Sequence, residues 1–221
     1  MRGPFSPFHL ILFLLALVFL LVFIQVGLLT IAFGKLGLSQ SSAFLLLFAS
    51  LAGSVINLPL FQIHADPPSP SNMPPLGRFW KMPHLEYTGR TVVALNVGGG
   101  VIPIAFSVYL FQHNPLAAAD VLTGIALVAA LAYAFSRPIA GVGIGMPILL
   151  APVSAALAAV LLDPEHSPPL AYICGTLGVL LGADLLRLKD IRKLGTPLAA
   201  IGGAGTFDGI FITGIVAVLL A

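Results

Sequence analysis

Two aspartates stand in otherwise apolar surroundings. Asp184 lies in Gly182-Ala183-Asp184-Leu185-Leu186 and Asp208 in Gly205-Thr206-Phe207-Asp208-Gly209, on either side of a stretch that carries Arg187, Lys189, Arg192 and Lys193. An ionisable side chain held at the depth of a bilayer costs more than about 2.5 kcal/mol even on lenient scales, so such residues mark function. Two carboxylates in one low-dielectric site do not both ionise cheaply. They share a proton, and one then acts as base and the other as acid on a water molecule. That is the chemistry of aspartyl peptide hydrolysis. Two other uses stay open at this point. Asp184 could pair with Arg187, three residues on, or with the basic stretch; Asp208 could bind a cation or take a proton during transport.

This chemistry requires elements that hold both residues inside a membrane, and the composition supplies them. The 221 residues are 58% hydrophobic and 8% charged, with mean hydropathy +1.06. A soluble chain is roughly 25% charged. Lipid must therefore be the solvent for much of this one, and lipid admits helices or closed barrels. The apolar runs are about 20 residues long and do not alternate, which selects helices. The chain is expected to be an all-α polytopic membrane domain over residues 1–221. Its seven spans fall near 8–33, 43–63, 91–112, 117–136, 138–162, 169–186 and 198–221. The run from Phe8 to Phe33 is far longer than the roughly 7–15 apolar residues of a signal peptide, so it reads as the first span. Residues 64–90 form a proline-rich loop, with Trp80 and Tyr87 placed to sit at headgroup level.

Charge sets the orientation. With seven alternating spans, Arg2, Arg78, Lys81, Arg90, Arg137 and the four basic residues from Arg187 to Lys193 share one side, nine of the ten Lys and Arg residues. Only Lys35 falls on the other, with Asp163 and Glu165. By the positive-inside rule the N-terminus and the 64–90 loop are cytoplasmic, and the chain belongs in the cell inner membrane as a multi-pass protein.

That orientation gathers polar groups into one layer. Asp184 lies about one turn inside the cytoplasmic boundary of its span. Asp208 follows Leu198 by ten residues, which is ~15 Å deeper if that stretch is helical. The Gly202, Gly203, Gly205 run suggests an unwound start, with regular helix from about Thr206, which brings Asp208 toward the depth of Asp184. Asn57 and Asn96 fall near the same level. So do three glycine clusters, at 98–100, 141–145 and 202–205. Glycine and proline permit broken helices that line a cavity. A polar cavity opening to the cytoplasm is expected, with Asp184 and Asp208 catalytic and Asn57, Asn96, Gly203, Gly205 and Thr206 binding substrate.

Other classes of site are disfavoured. No glycine-rich stretch carries the lysine of a nucleotide-binding loop. The five histidines lack metal-ligand spacing, so no metal or cofactor is expected. Ser54, Ser107 and Ser154 have no histidine or lysine at membrane depth, against a serine protease. Cys174 reads as a small core thiol and Asp120 as a helix-start carboxylate. A net charge of +2 with the basic residues in loops gives no sign of nucleic acid.

GADLLRLKDI (182–191) and GGAGTFDGIFITGI (202–215), with NVGGGVIP (96–103) and RPIAGVGIGMP (137–147), resemble the signature of a family of uncharacterised prokaryotic membrane proteins, domain of unknown function 1614. That likeness implies architecture rather than activity. A second resemblance is to the presenilin, signal peptide peptidase and prepilin peptidase group of intramembrane aspartyl proteases, which place one Asp in a span and another in a Gly-x-Gly-Asp motif. Asp184 would match the first and Asp208 the second. Here Thr206 and Phe207 separate Gly205 from Asp208, no Pro-Ala-Leu motif follows, and Ala183 precedes the first aspartate. The resemblance implies an aspartyl hydrolase whose partners are the lipid bilayer and a membrane-embedded peptide. A cation- or proton-coupled transporter or channel at broken helices is the alternative, and a non-catalytic structural protein the third.

Overall fold

The computed structural model describes residues 25–64, 89–139, 143–203 and 209–221. The beginning of the first expected span, nearly all of the proline-rich loop, and Gly205, Thr206 and Asp208 lie outside these residues.

Helices dominate. α1 (Gln25–Lys35) and α2 (Gln40–Gly53) meet at 111°. Ser39 caps α2, its hydroxyl accepting from the Ser42 amide. Strands β1 (Asn57–His64) and β2 (Arg90–Asn96) pair antiparallel, with Asn57 opposite Asn96. A π-helical turn, Val97–Val101, then leads into α3 (Ile102–His113), whose first turn carries Pro103. α4 (Ala118–Phe135) is followed by a small hairpin of β3 (Arg137–Ile139) and β4 (Gly143–Gly145), then α5 (Leu150–Leu162). α6 (Ser167–Val179) runs on into a second π-helical turn, Leu180–Leu185. A 3-10 helix, Leu188–Leu194, ends at Gly195, whose φ of 63° is left-handed. β5 (Leu198–Ile201) joins β2 in parallel, giving a three-stranded sheet ordered β1-β2-β5. α7 (Gly209–Leu220) completes the bundle.

α6 is the central helix. Eleven of its thirteen residues are buried, against α3, α4, α5 and α7. Small residues let its neighbours approach. Cys174, Gly178 and Gly182, one turn apart on a single face, meet Gly124, Val128 and Ala129 of α4, so these two helices run parallel. α7 runs antiparallel on another face, where Gly214 packs against Tyr172 and Thr176, and the Ser167 hydroxyl donates to the Ala221 carbonyl at 3.4 Å. At that same end Lys35 Nζ donates to the carbonyls of Val218 and Leu219, both at 3.3 Å, a cation on the negative end of α7. The sheet, the hairpin and both π-helical turns lie at the opposite end.

The chain is thus mostly helical, with seven α-helices among the described residues, but the all-α expectation needs amending because five strands accompany them. Among the described residues two helices, Ala118–Phe135 and Ser167–Leu185, are long and apolar enough to cross a membrane, or three spans if α1 and α2 count as one bent span. The expected second, third, fifth and seventh spans are composite, each part strand and part shorter helix. Their apolarity suits a helix of that length, yet a short apolar run bounded by Gly or Pro serves a strand equally well. Residues 57–64 carry Pro59, and residues 91–95 are rich in β-branched side chains.

The α4–α6 contact gives a direct test. A Cβ at Gly182 would fall on the Ala129 carbonyl oxygen, whereas a Cβ at Gly27 would meet nothing within 4 Å. Gly182→Ala is expected to lower stability by about 1–3 kcal/mol. Gly27→Ala should be neutral or stabilising, both read as thermal unfolding midpoints of the purified protein in detergent.

Candidate functional site

The layer of strands and π-helical turns places Asp184. Its turn is opened by one residue, with the Leu186 amide donating to the Leu181 carbonyl at 2.9 Å, five residues back. Just before it, Gly182 abuts α4. Just after it, Arg187 fastens the segment to the end of α4. Its Nη2 donates to the carbonyls of Tyr133 (2.6 Å) and Ser136 (2.9 Å), and its Nε to the Ser136 hydroxyl (3.2 Å). Nη1 pairs with Asp190 at 3.0 Å, and the guanidinium lies 4.4 Å from the centre of the Tyr133 ring. Arg187 therefore serves α4 and Asp190, and it makes no ion pair with Asp184.

Asp184 instead turns to the end of β5. Its Oδ2 accepts from the Gly202 amide at 2.8 Å. Gly202 has φ 81°, in the left-handed region, and a Cβ there would come within 2.6 Å of the Gly100 nitrogen. Two of the three glycine clusters thus touch beside the carboxylate.

The ladder explains why that amide is available. The Val92 amide donates to the Pro197 carbonyl at 3.0 Å, and Val92 stands opposite Leu198. In a parallel ladder one strand residue in two faces its partner. Ala199 and Ile201 therefore face β2, while the backbone groups of Leu198, Ala200 and Gly202 face the other edge. No described strand pairs with that edge. Asp184 stands at its end.

Beside the edge is a cavity of about 510 Å³. Gly143, Ile144 and Ile148 wall it on one side, Val179 and Asp184 on another, and Ile210 and Val216 of α7 on a third; every residue of β5 lines it. Gly143 brings the third glycine cluster to the site. Thr196 and Thr213 are polar, and Asp184 is the one ionisable group among the described lining residues. Among the described lining residues, then, apolar side chains predominate and Asp184 is the one carboxylate, where the sequence leads one to expect more polar groups. Gly203 lines it; Asp208, Gly205 and Thr206 lie outside the described residues.

Asn57 and Asn96 come together, but away from the cavity walls. Asn96 is buried. Its Nδ2 donates to the Ser54 carbonyl (2.7 Å) and to Asn57 Oδ1 (3.0 Å), and its Oδ1 accepts from the Gly99 amide (2.8 Å). The Ser50 hydroxyl donates to the Gly98 carbonyl at 2.8 Å. These bonds join the end of α2 to the strands and the first π-helical turn. The open edge of β5 escaped the sequence reading, although Gly195, Pro197 and Gly202 bracket a short apolar run in the manner of a strand.

An apolar helical bundle with membrane-length helices, closed at one end by strands that hold a carboxylate against a cavity, defines the class. Over residues 51–220 the chain matches the family described as Protein of unknown function (DUF1614), and it belongs to that family. No curated protein and no solved structure matches it.

Asn96→Leu strands the Gly99 amide and the Ser54 carbonyl. The expected loss is about 1–3 kcal/mol for each buried group left unpaired. Asn57→Ala removes one acceptor and should cost less, both being read from thermal unfolding in detergent.

Proposed function

We propose that this chain is a multi-pass protein of the cell inner membrane, N-terminus cytoplasmic, that hydrolyses peptide bonds with Asp184 and Asp208. The observation that carries the reading is the open edge of β5, which runs along an apolar cavity and ends at Asp184. Unpaired strand edges invite another strand. An extended peptide laid there would meet the N–H and C=O of Leu198 and Ala200, and its backbone would continue to the carboxylate. One aspartate, ionised, takes a proton from water as the water oxygen bonds to the scissile carbonyl carbon. The other, protonated, donates to the carbonyl oxygen; collapse then breaks the C–N bond and the amine leaves with a proton. Gly203 lines the cavity, and Gly205 and Thr206, which follow it in sequence, are assigned with it to the substrate backbone.

A second reading, cation- or proton-coupled transport, is favoured by the strand-to-helix breaks before α3 and α5. Interrupted segments of that kind hold ions in transporters. A cation-dependent rise in thermal midpoint that disappears in Asp208→Asn would favour it.

For the hydrolase, Asp184→Asn and Asp208→Asn are each expected to reduce cleavage by roughly 100-fold or more. The assay is release of a fluorescent fragment from an apolar reporter peptide in reconstituted vesicles. Asn at 184 still accepts from Gly202, so the thermal midpoint should hold. Parental cleavage rates in either variant would sink the two-aspartate site.

A further inference from the structure

The cavity beside Asp184 reaches the surface, and the side chains at its mouth identify what can enter. Of its lining residues, Ile148 is 86% exposed and Leu149 64%, and both stand just before α5. Ile212 of α7 and Leu198 of β5 are exposed beside them. The rim is thus framed by large aliphatic side chains from the starts of α5 and α7, two helices in contact with one another. Facing water, four large exposed apolar residues around one opening would form a costly patch. Facing hydrocarbon they cost nothing, and an apolar molecule crosses them without losing solvation. The polar groups among the described lining residues, Asp184, Thr196 and Thr213, are not among these rim side chains.

We infer that the gap between the starts of α5 and α7 is a lateral port, through which an extended apolar peptide segment passes sideways from the bilayer to β5. The inference rests on the hydrolase reading above for its occupant. An acyl chain also suits the rim, but it offers no hydrogen bonds. The N–H and C=O of Leu198 and Ala200, on the unpaired edge inside the port, require a partner that carries its own backbone groups. A peptide provides both the apolar side chains that the rim passes and the donors and acceptors that the edge lacks. Access from the aqueous side would instead lead a charged or polar peptide past described walls that are mostly aliphatic.

The test uses the full chain, with Asp184→Asn so that a captured peptide is not consumed, in phosphatidylcholine vesicles with a biotinylated, single-span apolar peptide. The photo-crosslinking residue p-benzoylphenylalanine is placed at Ile148, at Ile212 or, as control, at Leu122 of α4, which is 67% exposed and lines no part of the cavity. Peptide adducts at Ile148 and Ile212, and only background at Leu122, are expected. Equal peptide adducts at all three positions, or peptide adducts at the port no higher than at Leu122, would overturn the port. Where the substitution at Ile212 prevents folding, Leu149 takes its place. Capture at the port with no cleavage by the parent chain removes the hydrolase and keeps the port. Cleavage by the parent with no capture at the port does the reverse.

Discussion

In a chain this apolar, every backbone N–H and C=O withdrawn from water has to find a partner other than water. The helices meet that demand along their own length. Where the chain departs from helix it does so by strand pairing, β1 with β2, β2 with β5, β3 with β4. Where pairing stops, side chains take over. Asn96 closes the first π-helical turn, Arg187 receives the end of α4, and Lys35 receives the end of α7. Asp184 belongs to the same series, since it accepts an amide at the end of β5.

This shared duty explains why the polar residues form a layer instead of a scattered set. The bundle itself needs few of them. α4, α6 and α7 are brought together by glycine, alanine and cysteine faces, whose contacts depend on closeness rather than on charge. The polar side chains are concentrated where helix gives way to strand. There the glycines also cluster, because Gly98 and Gly202 stand where backbones touch and a Cβ would overlap them. The site is therefore a by-product of interrupted helices, and its apolar walls come from the bundle that the interruptions leave open.

Much of this was legible in the residues. Composition announced an apolar helical protein, and α4 and α6 coincide with spans expected from long uninterrupted runs. The gathering of Asp184 with the three glycine clusters followed from orientation by charge, and two of the clusters do meet at Gly100 and Gly202. The strands were hidden for a physical reason. A hydropathy window measures transfer to an apolar medium, and a buried strand and a helix score alike in it. Residues 198–201 and 91–95 look like parts of longer helices until their Gly and Pro borders are weighed. Which partner an amide side chain chooses is also beyond composition. The sequence leads one to expect Asn57 and Asn96 at one level; that they pair with each other, at the end of α2, is set by cross-strand register.

The parallel pairing of β2 with β5 bears on how the molecule is assembled. Thr91 Oγ1 donates to the Thr196 carbonyl across 105 residues of chain, so this contact is among the least local in the fold. β1 and β2 can pair as soon as both have left the ribosome, but the far edge of β2 must wait. α3, α4, α5 and α6 are all made in the interval. Until the residues beyond Gly195 arrive, Asp184 has no amide to accept and the cavity lacks the wall that β5 forms. The helices are the scaffold on which the sheet is finished, and the carboxylate is locked into place by one of the later events of folding.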